Sequence, residues 1–292
     1  MKHQTIRLIF FSICLFILPE VKSQSLLWKI SGNGSNGSSY LYGTIHLTDP
    51  RVFEWKDSVY GVMDRCEAYA GEIELSMGNL MKAAGMLLLP EGQTLSARFS
   101  EADYQVLAEG IKSCSGFDLA LFDRLKPPAL VSLCFSKKQP GDLEATVDEL
   151  LYQRAATGGK ITYGIESVEE QAALLDEIPD HYVLDYFKNL NQQHAEFEML
   201  IKAYRNADLD SIEHLITEEE SGVMLNDKLI RIRNHRMAER IIPMVLKHSV
   251  FIAIGSGHLP GSEGVITLLR KAGFEVVPLP LQVSQNFMQV LP

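Results

Sequence analysis

The stretch SVFIAIGSGHLPGSEG, Ser249 to Gly264, joins an apolar run to a histidine that is preceded by glycines. Val250–Ile254 is apolar throughout, which is typical of a strand buried on both faces. Gly255–Gly257 follows at once and leads into His258. Glycine lets the backbone approach a ligand closely. The stretch therefore predicts a buried strand that holds His258 at the edge of a sheet.

A second strand-like run near the start of the chain ends in the same way. Tyr40–Ile45 leads into His46, and GTIH at 43–46 repeats the G-x-x-H spacing of GSGH at 255–258. Leu26–Ile30 is also strand-like, and the Gly-, Asn- and Ser-rich Ser31–Ser39 predicts a hairpin between the two runs. One G-x-x-H is a weak signal, because such histidines often cap turns. Two at strand ends predict one shared site, since ligands of open α/β sheets bind there.

Strand-like and helix-like segments alternate along the rest of the chain, which predicts an α/β fold around a central mixed sheet. Further strands are expected at Ala68–Leu75, Gly158–Ser167 and Phe274–Val277, and the second of these has the pattern of a buried strand. Residues 179–247 are almost wholly helical in pattern, and we interpret them as a large helical insertion. We treat residues 24–292 as one domain.

Three glutamates fall within or at the end of predicted strands. Glu72 and Glu74 alternate along 68–75, which places both carboxylates on the same face, and Glu166 closes the next strand. Two histidines with one or two carboxylates suit a divalent metal ion that keeps a position open for water. Metal-bound water would then serve as the nucleophile of a hydrolase.

The segment RIRNHRMAERI, 231–241, carries four arginines within ten residues. We select Arg233 as the one that reaches the site, to bind an anionic group or a polarised carbonyl. The pairs His194/Glu198 and His235/Glu239 have the i,i+4 spacing of a metal site on a helix. Both lie in highly charged helical segments, so we interpret them as solvated helix surface. The sequence contains neither H-E-x-x-H nor G-x-S-x-G.

Residues 1–23 have the pattern of a secretory signal peptide. A basic start precedes Leu8–Leu18, an apolar run interrupted only by Ser12, and Pro19 ends that run. We expect cleavage before Gln24 and hence a periplasmic or extracellular protein without stable membrane insertion. An uncleaved membrane anchor is the alternative. Removal of the leader changes the formal charge from −10 to −12, and no basic run offers phosphate neutralisation, which argues against a nucleic-acid partner.

Three cysteines remain after the leader, namely Cys66, Cys114 and Cys134. An odd number allows at most one internal disulfide, so the chain is not a disulfide scaffold. Their wide spacing disfavours a structural zinc cluster, and the sequence leaves their pairing open.

Several of these segments occur in the order seen in one protein family. LWKI…YLYGTIHL, GEIEL, YGIES…EQ, RIRNHRMAERI and IAIGSGHLPGSEGVITLLRKAGFEV together resemble the TraB/GumN family over 26–277. That family is similar to the Tiki proteins, which are described as metal-dependent proteases, and more distantly to ChaN-like and erythromycin-esterase-like proteins. The resemblance implies a ChaN/Tiki-like α/β fold with a helical insertion.

The resemblance also implies roles for the candidate residues. His46, His258 and Glu72 would bind a divalent ion, Glu74 or Glu166 would orient a ligand or act as general base, and Arg233 would stabilise an oxyanion. The expected substrate is a peptide or protein. Two alternatives stay open, namely a non-catalytic module that captures a peptide or haem, and an esterase-like hydrolase that uses a histidine without metal.

Overall fold

The computed structural model describes residues 24–135, 137–217 and 227–282. The predicted signal peptide, 1–23, lies outside the described residues. Among the residues that are described, no helix is both long enough and apolar enough to cross a membrane.

The centre of the fold is a six-stranded mixed sheet with the order β4-β3-β5-β2-β1-β6. The pairs β4-β3, β3-β5 and β5-β2 are parallel, whereas β1 runs antiparallel to both β2 and β6. The strands are β1 (Leu27–Ser31), β2 (Ser39–Thr44), β3 (Ala68–Gly71), β4 (Ile161–Gly164), β5 (Val250–Gly255) and β6 (Glu275–Pro278). The α/β fold, the mixed sheet and the N-terminal hairpin of β1 and β2 are as predicted.

Helices connect and cover the strands. Within the described residues they are α1 (Lys56–Met63), α2 (Met77–Met86), α3 (Leu95–Arg98), α4 (Glu101–Ser115), α5 (Pro127–Phe135), α6 (Val147–Thr157), α7 (Val168–Asp176), α8 (Asp180–Lys188), α9 (Leu190–Arg205), α10 (Leu209–Thr217), α11 (Arg233–Lys247) and α12 (Val265–Lys271). Short 3₁₀ turns occur at Pro50–Phe53, Leu119–Phe122 and Ser256–His258, and a π-helical segment, Asp227–Ile232, runs directly into α11.

β5 is the buried central strand that the opening apolar run predicts. It pairs in parallel with β3 on one side and β2 on the other, and the side chains of Val250–Ile254 are fully buried. Helix α11 adds Met237, Ile241 and Val245 to the same core. Burial on both faces, at about 25 cal/mol per Å² of apolar surface, explains why this strand has no polar alternation.

A second apolar cluster lies beside the sheet domain. It is built from α4, α5 and α8 and includes Leu107, Leu130 and Phe187. Cys114 at the end of α4 is disulfide-bonded to Cys134 in α5, and Cys66 is free and buried. The structure thereby selects the pairing that the sequence left open.

Two strand predictions need correction. β3 ends at Gly71 and not at Leu75. Gly71 is the last paired residue on both sides, opposite Gly164 at the end of β4 and Ala253 of β5, which itself continues to Gly255 beside β2. β4 is an edge strand with Ile161 46% exposed, not a buried one, because the sheet order gives it only β3 as a neighbour. Glu72 and Glu74 therefore lie in the segment after β3, so strict strand alternation does not govern their directions.

Candidate active site

The parallel strands β2, β3, β4 and β5 all end at the same edge of the sheet. His46 follows β2, Glu72 follows β3, Glu166 follows β4 and His258 follows β5. The parallel strand ends alone therefore bring these four residues, which are far apart in sequence, to the edge where ligands of such sheets bind.

Arg233, in the first turn of α11, joins two of these carboxylates. Its Nε and Nη2 atoms donate to Glu166 at 2.6–3.1 Å, and Nη2 also donates to Glu72 Oε2 at 2.7 Å. Gln171 of α7 donates to both Glu72, at 2.9 Å, and Glu166, at 3.2 Å. The planar guanidinium suits such forked contacts, so the cluster holds both carboxylates in fixed orientations.

His258 is buried beside Glu72, and its orientation follows from its neighbour Asn234. Asn234 Nδ2 donates to the carbonyl of Glu263 at 2.9 Å, so Asn234 Oδ1 faces His258 Nδ1 at 2.6 Å as an acceptor. Nδ1 then carries the proton, and Nε2 keeps its lone pair. That atom lies 3.8 Å from Glu72 Oε1.

The pKa values of Glu72 and His258 both lie below the ordinary ones, for different reasons. Burial alone raises the pKa of Glu72, but His258, Arg233, His46 and the Gly255 N–H, which donates at 2.7 Å, lower it to about 2. Burial lowers the pKa of His258 to about 4, against the opposing charge of Glu72. His258 is therefore neutral near pH 7, and the permanent charge of Arg233 is what keeps Glu72 ionised.

His46 stands in a different environment. Its Nδ1 lies 2.8 Å from Oδ2 of Asp148, whose other oxygen accepts a 2.6 Å hydrogen bond from Thr44 Oγ1. Desolvation lowers the pKa of His46, but 66% of its side-chain surface is open to solvent, so the nearby negative charge outweighs it. Asp148, with smaller help from Glu72 and Glu149, raises the pKa to about 9.

Glu74 has other neighbours. Its Oε1 accepts a hydrogen bond from Thr162 on β4 at 2.9 Å, and its carbonyl accepts one from Asn79 at 2.8 Å. These contacts tie the segment after β3 to the edge strand. A role for Glu74 as general base stays a prediction.

Small residues make the close approaches at this edge possible. A Cβ on Gly43 would lie 2.7 Å from Leu259 Cδ1 and 3.1 Å from the Cα of Ser256. A Cβ on Gly255 would lie 3.1 Å from Glu72 Oε1. The glycines before the two histidines therefore clear space for the neighbouring strand end and for the Glu72 carboxylate.

The other arginines and histidine–glutamate pairs form contacts away from the site. Arg240 binds both carboxylate oxygens of Glu170 on α7 at 2.7 Å, and Arg236 lies 3.4 Å from the same residue. Glu198 binds Arg51, and His235 pairs with Glu263. The ion pairs of Glu198 and His235 agree with the interpretation of the two histidine–glutamate pairs as solvated helix surface.

Two candidate ligands for a metal ion lie side by side in this geometry. Neutral His258 and ionised Glu72 face each other at 3.8 Å. The Nδ1 atoms of His258 and His46 each lie against a side-chain oxygen, as is usual for histidines that bind a metal. Within the described ranges, however, no three His, Cys, Asp or Glu side chains are grouped closely enough to hold a metal. The residues fit a metal ion as a pair, with His46 close enough that its charge lowers the pKa of Glu72.

Sequence reasoning missed three of the residues that shape this site. Asn234 lies inside the segment 231–241, and Gln171 is the last residue of the YGIES…EQ match. Both therefore belong to segments that carry the family resemblance and could have been selected from it. Asp148 lies in the first turn of α6 beside Glu149, within the Thr146–Glu149 capping box, so its sequence pattern indicates only a helix start. Only its contact with His46 reveals it.

The fold and this site define an α/β protein with a histidine–carboxylate cluster at the carboxyl ends of its parallel strands. A model of the TraB/PrgY/gumN family matches residues 26–278, so the chain belongs to that family.

Curated relatives include Metalloprotease TIKI2 of Danio rerio, 26% identical over 88% of this chain and 61% of that protein. Metalloprotease TIKI1 of the same organism is 25% identical over 91% of this chain and 65% of that protein. The chain thus spans just over three fifths of the length of these relatives. An uncharacterised protein of Treponema pallidum is 22% identical over 87% of this chain and 83% of its own length. No solved structure matches the chain.

Proposed function

We propose that this protein is a metal-dependent hydrolase that cleaves peptide bonds. The relatives named metalloproteases support the reaction class. The observation that carries the proposal is the Glu72–His258 pair, because an ionised carboxylate and a neutral imidazole at 3.8 Å present two lone pairs to the same space. Both facing atoms are acceptors, so they cannot hydrogen-bond to each other, and a cation between them would satisfy both.

His258 and Glu72 would hold the ion, with His46 as the candidate for a third ligand. When bound, the ion would activate water and polarise the scissile carbonyl. Asn234 and Asp148 orient the two rings through Nδ1. Glu166 and Gln171 keep Arg233 in place, and Arg233 in turn anchors Glu72. Arg233 also supplies a fixed positive charge for an oxyanion that develops beside Glu72. Glu74 is a candidate for the general base.

Metal binding is the decisive test. We would measure metal content by elemental analysis, and zinc, manganese and cobalt binding by calorimetry, for residues 24–292 and for His46→Ala/His258→Ala. His181→Ala/His248→Ala is the matched control, because His181 is exposed on α8 and His248 precedes β5 at the opposite edge of the sheet. We expect stoichiometric binding that only the first double variant loses, together with chelator-sensitive cleavage of a peptide library. No binding by the wild type would refute the metal mechanism.

A metal-independent hydrolase is the second candidate, and the His46–Asp148 contact favours it. A solvent-open histidine backed by a buried carboxylate can act as a general base once it has lost its proton, which the pKa of about 9 places above neutral pH. Cleavage that persists in excess chelator and is abolished by His46→Ala would select this candidate. Peptide binding or a haem absorption band without any turnover would select the ligand-capture alternative instead.

We further propose that the protein acts outside the cytoplasm. The signal-peptide pattern of residues 1–23 and the Cys114–Cys134 disulfide support this, because disulfides persist in oxidising compartments. Cell fractionation with an N-terminal sequence of the mature protein tests it. Recovery in the cytoplasm with residues 1–23 intact would contradict it.

A further inference from the structure

A groove in the described part of the chain lies next to the candidate site. It has a volume of about 680 Å³, within the roughly 300–1,000 Å³ range of ligand pockets, and runs between α5, α9 and α10. Its lining includes Leu47, the residue after His46, and Ile216. A Cβ on Gly257, the residue before His258, would lie 3.0 Å from Ile216 Cδ1. Leu47 thus joins the groove directly to His46, and Ile216 packs between the groove and Gly257 beside His258.

An aromatic pair forms part of the groove wall. The rings of Phe135, at the end of α5, and Phe197, in α9, have centroids 5.1 Å apart. Phe135 is 45% exposed although it is a large apolar side chain. It directly follows Cys134, so the disulfide to Cys114 fixes the helix end that carries it. A bulky apolar side chain of a ligand would cover this pair and remove its apolar surface from water.

The charged side chains of the groove have an acidic excess. Two cations, Arg51 and Lys137, face four carboxylates, those of Asp49, Asp142, Glu196 and Glu198. Arg51 is already bound by Asp49 at 2.6 Å and by Glu198 at 2.8 Å. The net negative charge of the groove therefore favours a neutral or basic segment of a ligand over an acidic one.

We propose that this groove binds an extended segment of the substrate peptide on one side of the scissile bond, with a bulky apolar side chain seated on Phe135 and Phe197 next to a basic residue. The inference rests on the proposed function, because a peptide must pass the two histidines to be cleaved. Continuity with the site, the aromatic pair and the acidic excess together select a peptide of this composition.

The test separates binding from cleavage. Fluorescein-labelled twelve-residue peptides, with a central Phe-Lys, Phe-Glu or Ser-Lys, are titrated into the His46→Ala/His258→Ala variant and followed by fluorescence anisotropy. Chelator-treated wild type repeats the measurement if that variant does not fold. Phe135→Ala is then added to either background. Leu121→Ala is the matched control, because Leu121 is 73% exposed and does not line the groove.

We expect the Phe-Lys peptide to bind most tightly, and Phe135→Ala to weaken it at least about tenfold, whereas Leu121→Ala leaves it unchanged. No binding of any peptide, equal effects of the two variants, or a preference for Phe-Glu would overturn the groove proposal. Binding with this pattern but no cleavage by the wild type contradicts the peptidase alone. Cleavage that Phe135→Ala does not affect contradicts the groove alone.

Discussion

Nδ1 of His46 lies 2.8 Å from Oδ2 of Asp148, whereas the second histidine of the site, His258, is held by the uncharged amide of Asn234. Burial lowers the pKa of His258 to about 4, whereas the charge of Asp148 raises the pKa of His46 to about 9 against desolvation. Two histidines in equivalent sequence motifs therefore have different charges at pH 7. If the proposed metal site is right, His258 would be a neutral ligand, while His46 would have to lose a proton before it could bind a cation.

Asp148→Asn tests the role of the carboxylate behind His46. The amide oxygen keeps the acceptor for Thr44, but the negative charge is gone, so the pKa of His46 falls. We expect kcat/KM to drop about 10- to 100-fold, with a shifted pH profile. Kinetics from pH 5 to 10 and NMR titration of His46 measure both effects. Asp185→Asn, at a 60% exposed carboxylate with a distant 3.9 Å partner, is the control. An unshifted His46 pKa would contradict the assignment.

The depressed pKa of His258 predicts a loss of stability in acid. The unfolded chain takes up the proton near pH 6.5, but the folded protein takes it up only near pH 4. Stability is thus fully present above about pH 6.5 and falls as the pH approaches 4, by on the order of 3 kcal/mol. His258→Gln should flatten this part of the curve. Urea unfolding at pH 7, 5.5 and 4 measures it, with exposed His181→Gln as the control. Equal acid slopes in wild type and His258→Gln would refute the prediction.

Arg233→Met should destabilise the fold strongly, because it leaves the carboxylates of Glu72 and Glu166 without their cation. Removal of one partner from a buried ion pair costs about 3–5 kcal/mol. Arg236→Met, on the same helix, removes a 3.4 Å contact of an exposed side chain and should cost less than about 1 kcal/mol. Urea unfolding at pH 7 compares the two. Similar losses in both variants would show that Arg233 is not a buried anchor.

Gly164→Ala should displace the segment that carries Glu72 and Glu74. A Cβ there would lie 2.8 Å from the backbone N of Glu74 and 3.1 Å from the carbonyl O of Glu166, and backbone atoms cannot rotate away. We expect a loss of about 1–3 kcal/mol and reduced activity. Gly61→Ala, in α1 with open space around it, should be neutral or stabilising by up to about 1 kcal/mol. Thermal unfolding and activity of both variants are the measurements, and unchanged activity in Gly164→Ala would count against this packing.

Local features of the fold were predictable from the sequence where neighbouring residues alone decide them. The capping box of Ser167 and Glu170 forms at the start of α7, and Gly273 takes a positive φ of 94° after α12. β5 is the buried strand that its apolar run predicts. In each case the hydrogen bond, the backbone conformation or the burial pattern depends on a few consecutive residues.

The extent of β3 and the exposure of β4 were not predictable in this way. An apolar residue such as Ile161 has the same sequence pattern in an edge strand as in a central one. Which strand has neighbours on both sides depends on the order of strands in the sheet, and that order is set by packing between distant segments.

The sequence by itself determined that this protein has an α/β fold, that it belongs with its family, and that His46, Glu72, Glu166, Arg233 and His258 are the side chains to examine. The tertiary structure alone decided their partners. Arg233 and Glu72 are 161 residues apart, and the carboxylate that shifts the pKa of His46 stands on a helix that no motif connects to it. Charge and hydrogen bonding act over a few ångströms of space, so they follow the folded sheet edge and not the order of the chain.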